Sequence, residues 1–148
     1  TIIDLIRNDL SINASNVRVE RYRYIDTIVT SSYSLLQVSS EIAGELGSAW
    51  NARAGSIISS MLPAGSVSGA PKKETLRIIR ESEKSERGYY TGVFGIFNGK
   101  EIDSAVMIRF IEQNDRGYVY RSGGGITYLS NAEKEFEELI RKIYVPVG

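Results

Sequence analysis

The chain has 148 residues, 42% of them apolar and 24% charged, which suits one globular domain or a piece of a larger one. Its 18 Lys and Arg balance 18 Asp and Glu, so no basic field favours nucleic acid or an anionic membrane surface. With no Cys and no His, it lacks disulfides, thiolate nucleophiles, imidazole bases and the usual zinc ligands.

Any chemistry falls to carboxylates, Lys, Arg, Tyr, hydroxyls and backbone amides. A hard cation such as Mg2+ stays compatible because it takes oxygen ligands. No apolar run approaches the roughly 20 residues of a membrane span, and no signal peptide opens the chain. The chain starts at Thr1, not Met, and Thr1–Leu10 reads as the middle of something, so we expect a fragment; the lack of Cys is compatible with a cytoplasmic home.

Ile2, Ile3, Leu5, Ile6 and Leu10 share one face of a short opening helix. Val17–Ile25 and Leu35–Ile42 are strand candidates, rich in β-branched and aromatic residues or ending near Gly44. Ala54–Leu62 has helical spacing. Pro63–Pro71 reads as a loop, with Pro71 the first residue of a helix that runs toward Glu86. Tyr90–Phe97 and Ile102–Glu112 flank Asn98-Gly99, a strong hairpin signal. Asn114–Gly117 marks another turn before strand Tyr118–Ser122. Ser130-x-x-Glu133 reads as a capping box for a last helix with its stripe at Phe136, Leu139, Ile140 and Ile143. A meander of strands with helices outside it predicts an α+β fold, an antiparallel sheet with helices packed outside.

Several places could carry chemistry. Gly123–Gly125 follow a strand, and exposed amides there could form an anion nest; a flexible strand exit is the equal alternative. The small-residue loop from Pro63 to Lys72 could present hydroxyls and amides to a carboxylate, or simply connect helices. It fails the spacing of a phosphate-binding loop. Glu135 and Glu138 are neighbours on the last helix and could contribute to a Mg2+ site, although a solvated acidic face is commoner. Arg109 ends the apolar stretch Ala105–Ile108. It needs a partner, either an anionic ligand or a structural carboxylate. Tyr89 or Tyr90 could reach a polar ligand. For Asp4, Arg7, Asn8 and Asp9, local pairing and capping are explanation enough.

Five segments in order resemble one family. They are Asp4-Leu5-Ile6-Arg7-Asn8-Asp9-Leu10, Pro63-Ala64-Gly65-Ser66-Val67-Ser68-Gly69-Ala70-Pro71-Lys72, Arg87-Gly88-Tyr89-Tyr90-Thr91-Gly92, Ile108-Arg109 and Ser122-Gly123-Gly124-Gly125-Ile126. The family is that of the chorismate-utilising enzymes: anthranilate and aminodeoxychorismate synthase large subunits, and isochorismate and salicylate synthases. The resemblance runs end to end. It implies that residues 1–148 are the C-terminal portion of a chorismate-binding catalytic domain whose N-terminal portion is absent.

The resemblance also implies roles. The amides of Gly124 and Gly125, with Ser66, would receive the ring carboxylate of chorismate. Arg109 and Tyr90 would bind the enolpyruvyl carboxylate. Glu138 would be a Mg2+ ligand and Glu135 a nearby carboxylate, with a second metal-ligating Glu upstream of Thr1. Gln37 falls where many relatives have a His beside the reacting centre, and an amide cannot act as a general acid.

The motif wording looks most like the aminodeoxychorismate synthase branch. Anthranilate synthase is the runner-up and isochorismate synthase third; a non-catalytic anion-binding module is the alternative of another class. The branch implies a glutamine amidotransferase partner. The absent upstream portion, with the second Glu and the segment of the catalytic Lys, implies an isolated chain that is inactive, binds Mg2+ poorly and self-associates, as a dimer for example.

Overall fold

The computed structural model describes residues 2–29 and 34–143. Helix α1 spans Ile2–Ser11 and leads into strands β1 (Ser15–Val29) and β2 (Ser34–Glu45). A 3-10 turn over Trp50–Arg53 precedes α2 (Ala54–Met61), α3 (Gly65–Ser68) and α4 (Lys72–Ser82). Strands β3 (Val93–Phe97), β4 (Ile102–Val106), β5 (Arg109–Asn114) and β6 (Gly117–Ser122) follow, and α5 (Ala132–Arg141) ends the described chain.

The α+β class holds, but the described strands form three separate two-stranded antiparallel sheets instead of one meander. The reason lies in the Ile102–Glu112 segment, expected as one strand. It breaks at Met107–Ile108, where the Ile108 amide donates to the Val106 carbonyl at 3.0 Å. That tight turn sends β4 to pair with β3, from Val93↔Val106 to Phe97↔Ile102. It leaves β5 to pair with β6, from Arg109↔Ser122 to Asn114↔Gly117. Tyr90–Gly92 form a turn before β3 instead of its first residues.

Other boundaries shift for local reasons. The small-residue loop contains the one-turn helix α3, and α4 starts at Lys72 with Pro71 as its N-cap. The last helix is capped by Asn131, whose side chain accepts from the Lys134 amide at 3.1 Å. Ser130 instead accepts from the Thr127 amide at 3.0 Å, so the expected capping box is not made.

The helical layer is held by a polar pin. Asp9, in the last turns of α1, is 8% exposed. Its Oδ2 accepts the Gly65 amide at 2.6 Å, at the start of α3. Its Oδ1 meets Lys72 Nζ at 2.9 Å, at the start of α4. A buried carboxylate is stable only with such partners, and both bonds are charge-assisted. Asn13 adds a second tie, donating to Ser60 Oγ at 2.7 Å on α2. Ala54 and Ile57 of α2 are the buried apolar residues of this layer. The β3–β4 hairpin leans on it through Trp50 and Phe97, edge to face at 6.1 Å. Phe94 and Ile96 of the same hairpin remain exposed. No helix among the described residues is long and apolar enough to cross a membrane.

Gly65 must be glycine, because a Cβ there would sit 2.9 Å from Asp9 Oδ2 and 3.0 Å from Leu5 Cβ. Gly47 faces open space. We expect Gly65→Ala and Asp9→Ala each to cost about 1–3 kcal/mol in urea denaturation, by breaking a buried charge-assisted bond. Gly47→Ala should be nearly neutral. Equal midpoints for Gly65→Ala and Gly47→Ala would show that the pin carries no stability.

Candidate functional site

The turn between α4 and β3 sets Tyr90 beside the glycine triplet. Tyr90 donates its amide to the Arg87 carbonyl at 2.9 Å, and Gly92 donates to the Tyr89 carbonyl at 3.0 Å. Thr91 then joins the end of β4, giving its amide to Met107 O at 2.8 Å, while Met107 N donates to Gly92 O at 2.9 Å. These bonds hold Thr91 at φ +67°, an unusual backbone state for a β-branched residue. Tyr90 points inward and is half-buried, whereas Tyr89 is 72% exposed. Of the two tyrosines, Tyr90, the one the resemblance implies, is the one turned toward the glycine triplet.

The Tyr90 hydroxyl rests against Gly123, where a Cβ would lie 1.9 Å from it. The first glycine of the triplet is therefore required by close approach. Gly124 and Gly125 face open space, and among the described residues their amides enter no backbone hydrogen bond. Burial pushes the Tyr90 phenol above its ordinary value; the Arg87 and Arg109 cations oppose this and Glu83 reinforces it. The hydroxyl is thus a protonated donor at neutral pH.

Arg109 opens β5 opposite Ser122. It is exposed, so the desolvation cost expected from the apolar stretch does not arise. Among the described residues no carboxylate pairs with it, and its charge is felt at Tyr90. The structural ion pair that the sequence allowed is absent among those residues. Ser122 adds a buried hydroxyl without a hydrogen-bond partner among them.

Ser66, in α3, is exposed at the rim of a cavity of about 420 Å3 that it lines with Asp9, Val93 and Val106. The carboxylate expected at this helix start is present, but it is the chain's own Asp9, on the Gly65 amide. Among the described residues no hydrogen bond joins Ser66 to the glycine triplet. Gln37 lies on β2, exposed, and donates to Ser39 Oγ at 3.2 Å.

The metal expectation meets a sparse donor set. Glu138 is exposed and ion-paired with Lys142, which holds its carboxyl below the ordinary value. Glu135 is half-buried on the same helix. Among the described residues no group of three or more His, Cys, Asp or Glu could hold a metal. Two carboxylates are the right kind of ligand for Mg2+ but too few, and Lys142 competes for one of them. The described residues do not by themselves fit a resident ion.

Sequence reasoning missed two groups. Asp9 looked like a local helix charge because its partners lie 56 and 63 residues away. Arg87 sat unremarked in a motif, yet it lies 5.4 Å over the Tyr90 ring. The opposite charges of Glu83 and Arg87, four residues apart in sequence, were the one available signal.

A family model described as chorismate binding enzyme matches residues 1–148. An uncharacterized PabA-like protein of Pasteurella multocida is 56% identical over 148 residues, 100% of this chain and 46% of that protein. Its counterpart in Haemophilus influenzae is 54% identical over 147 residues, 99% and 45% of the two chains. Anthranilate synthase component 1 of Aquifex aeolicus is 36% identical over 146 residues, 95% and 28%. The chain spans about half the length of the two PabA-like relatives.

Gly123→Ala should expel the Tyr90 ring from its seat, while Gly124→Ala leaves it in place. The effect is read in the Tyr90 ring resonances by NMR, with less than about 1 kcal/mol of lost stability because the ring can swing away. An unmoved Tyr90 in Gly123→Ala would refute the contact.

Proposed function

The chain belongs to the chorismate-binding enzyme family, and on that premise we propose that it is the C-terminal portion of an aminodeoxychorismate synthase component I. The longer protein then converts chorismate and ammonia to 4-amino-4-deoxychorismate, for para-aminobenzoate and folate synthesis. A glutamine amidotransferase subunit would deliver the ammonia. The observation that carries the reading is one convergence. Arg109, with no carboxylate partner among the described residues, opens β5 opposite Ser122, and the next residue, Gly123, carries the half-buried Tyr90 hydroxyl against it and leads into the open amides of Gly124 and Gly125.

Chorismate is a dianion, so it needs donors at two ends. Arg109 offers a bidentate fork and Tyr90 a neutral O–H donor for the enolpyruvyl carboxylate. The amides of Gly124 and Gly125, with the Ser66 hydroxyl, would take the ring carboxylate. Gln37 would have no proton-transfer role, since its amide neither gives nor takes a proton at neutral pH. In the longer protein Glu138 would become a Mg2+ ligand, with Glu135 beside it, once Lys142 yields. Such an ion, when bound, would supply charge neutralisation for a substrate carboxylate.

The choice of branch is supported by the wording of the motifs and by the higher identity to the two PabA-like proteins than to anthranilate synthase. Anthranilate synthase component I is the second reading and rests on 36% identity over 146 residues. The exposed apolar residues of the hairpins, Phe94 and Ile96 among them, support self-association of the chain on its own.

In the full-length protein, Arg109→Ala should weaken chorismate binding by about 1.5–3 kcal/mol in calorimetry, the range of charge-assisted hydrogen bonds. Unchanged affinity with an intact fold would make Arg109 structural. Glu138→Gln should remove the Mg2+ dependence of the rate. Retained Mg2+ activation would take Glu138 out of the metal role.

A further inference from the structure

Arg87 holds three partners at once. Its Nε and Nη2 grip both oxygens of Glu83, at 2.7 and 2.6 Å. Its Nη1 donates to Thr91 Oγ1 at 3.3 Å, and its guanidinium carbon lies 5.4 Å from the centre of the Tyr90 ring. The ring is therefore held at its face by Arg87 and at its tip by Gly123. Arg87 also binds the side chain of the residue with strained backbone, Thr91 at φ +67°. Strain of this kind persists only where neighbours over-determine it.

We propose that Arg87, clamped by Glu83, is a positioning residue for Tyr90: it sets the ring's tilt and so aims the hydroxyl at the substrate carboxylate. The inference rests on the reading that Tyr90 contacts that carboxylate. Glu83 is what separates Arg87 from Arg109. Both are cations near the Tyr90 ring, but Arg87 spends its fork on a carboxylate of the chain, while Arg109 has no such partner among the described residues. A guanidinium whose fork is already taken by a carboxylate is a poor anion ligand, yet it remains a cation and a flat plate for an aromatic face. The pair is also fixed from behind. Glu83 is the C-cap of α4, with its amide on the Ile79 carbonyl at 2.9 Å, so the clamp's position is that of the helix end.

The test uses the full-length protein and chorismate, with KM and kcat measured for Tyr90→Phe, Arg87→Met, Arg87→Lys, Glu83→Gln and the Arg87→Met/Tyr90→Phe double variant. Tyr90→Phe and Arg87→Met should each raise KM about threefold to tenfold with kcat within about twofold. The double variant should be no worse than the poorer single one, because both remove the same contact. Arg87→Lys, which keeps a cation over the ring but loses the fork, should recover part of the loss. Glu83→Gln should raise KM.

A raised KM for Tyr90→Phe with additive effects in the double variant would overturn the proposal and leave the site reading standing. A fall in KM for Glu83→Gln would also overturn it, since the freed guanidinium would then be binding substrate itself. Unchanged KM for Tyr90→Phe would overturn the site reading and this inference with it. A merely structural Arg87 would lower the melting temperature and leave KM alone. Should Arg87→Met fail to fold, Arg87→Lys and Glu83→Gln still separate these outcomes, because they alter exposed or half-buried polar groups only.

Discussion

One carboxylate organises the helical layer. Asp9 takes the Gly65 amide and the Lys72 ammonium together, so the last turns of α1 fix the first residues of both α3 and α4. Two helices that start on the same group cannot slide independently. The requirement reaches back into the sequence: the residue at 65 can have no Cβ, because the carboxylate occupies that space. It also explains why a four-residue helix exists at all. One isolated turn is unstable in water, since nucleation fixes several dihedrals for a single hydrogen bond. Here the chain's own anion completes it.

The constraint propagates along α4. Eleven residues of helix span about 16 Å, from Lys72 at the Asp9 pin to Ser82, with Glu83 as the C-cap. Exposed pairs of Arg77 with Glu74 and Glu81 stiffen its outer face. The far end holds Arg87, Arg87 faces Tyr90, and Tyr90 touches Gly123. A line of contacts thus runs from α1 to the glycine triplet through named side chains. Ser66 depends on the same pin from the other direction, since it follows Gly65. Tyr90 and Ser66, one from each assigned end of the substrate, are therefore referred to one buried charge.

Elements with a local cause were legible in the sequence. The apolar stripe of α1, the hairpin at Asn98-Gly99 and the turn before Tyr118 rest on periodicity or turn chemistry, and the structure places them there. What sequence could not show depends on pairing across distance. Ile102–Glu112 has the composition of one strand, but two partners compete for it and the chain turns between them. Ser130 and Asn131 are both good caps, and the Thr127 amide claims the serine. Asp9 and Arg87 look like ordinary local charges in the sequence, and only their long-range or facing partners reveal their roles. The expected site divides in the same way. Tyr90, Arg109 and the glycines are brought together around one hairpin end; Gln37 stays on the β1–β2 hairpin, and Glu138 is held by Lys142.

The proposed chemistry comes down to one exchange: the longer protein replaces a hydroxyl of chorismate with an amine and keeps the enolpyruvyl group. The most direct measurement incubates the full-length protein with chorismate, Mg2+ and an ammonium salt and identifies the product by mass spectrometry. The expected product is 4-amino-4-deoxychorismate, with the enolpyruvyl mass retained. Anthranilate, with pyruvate released, would contradict the proposal and place the protein in the tryptophan branch.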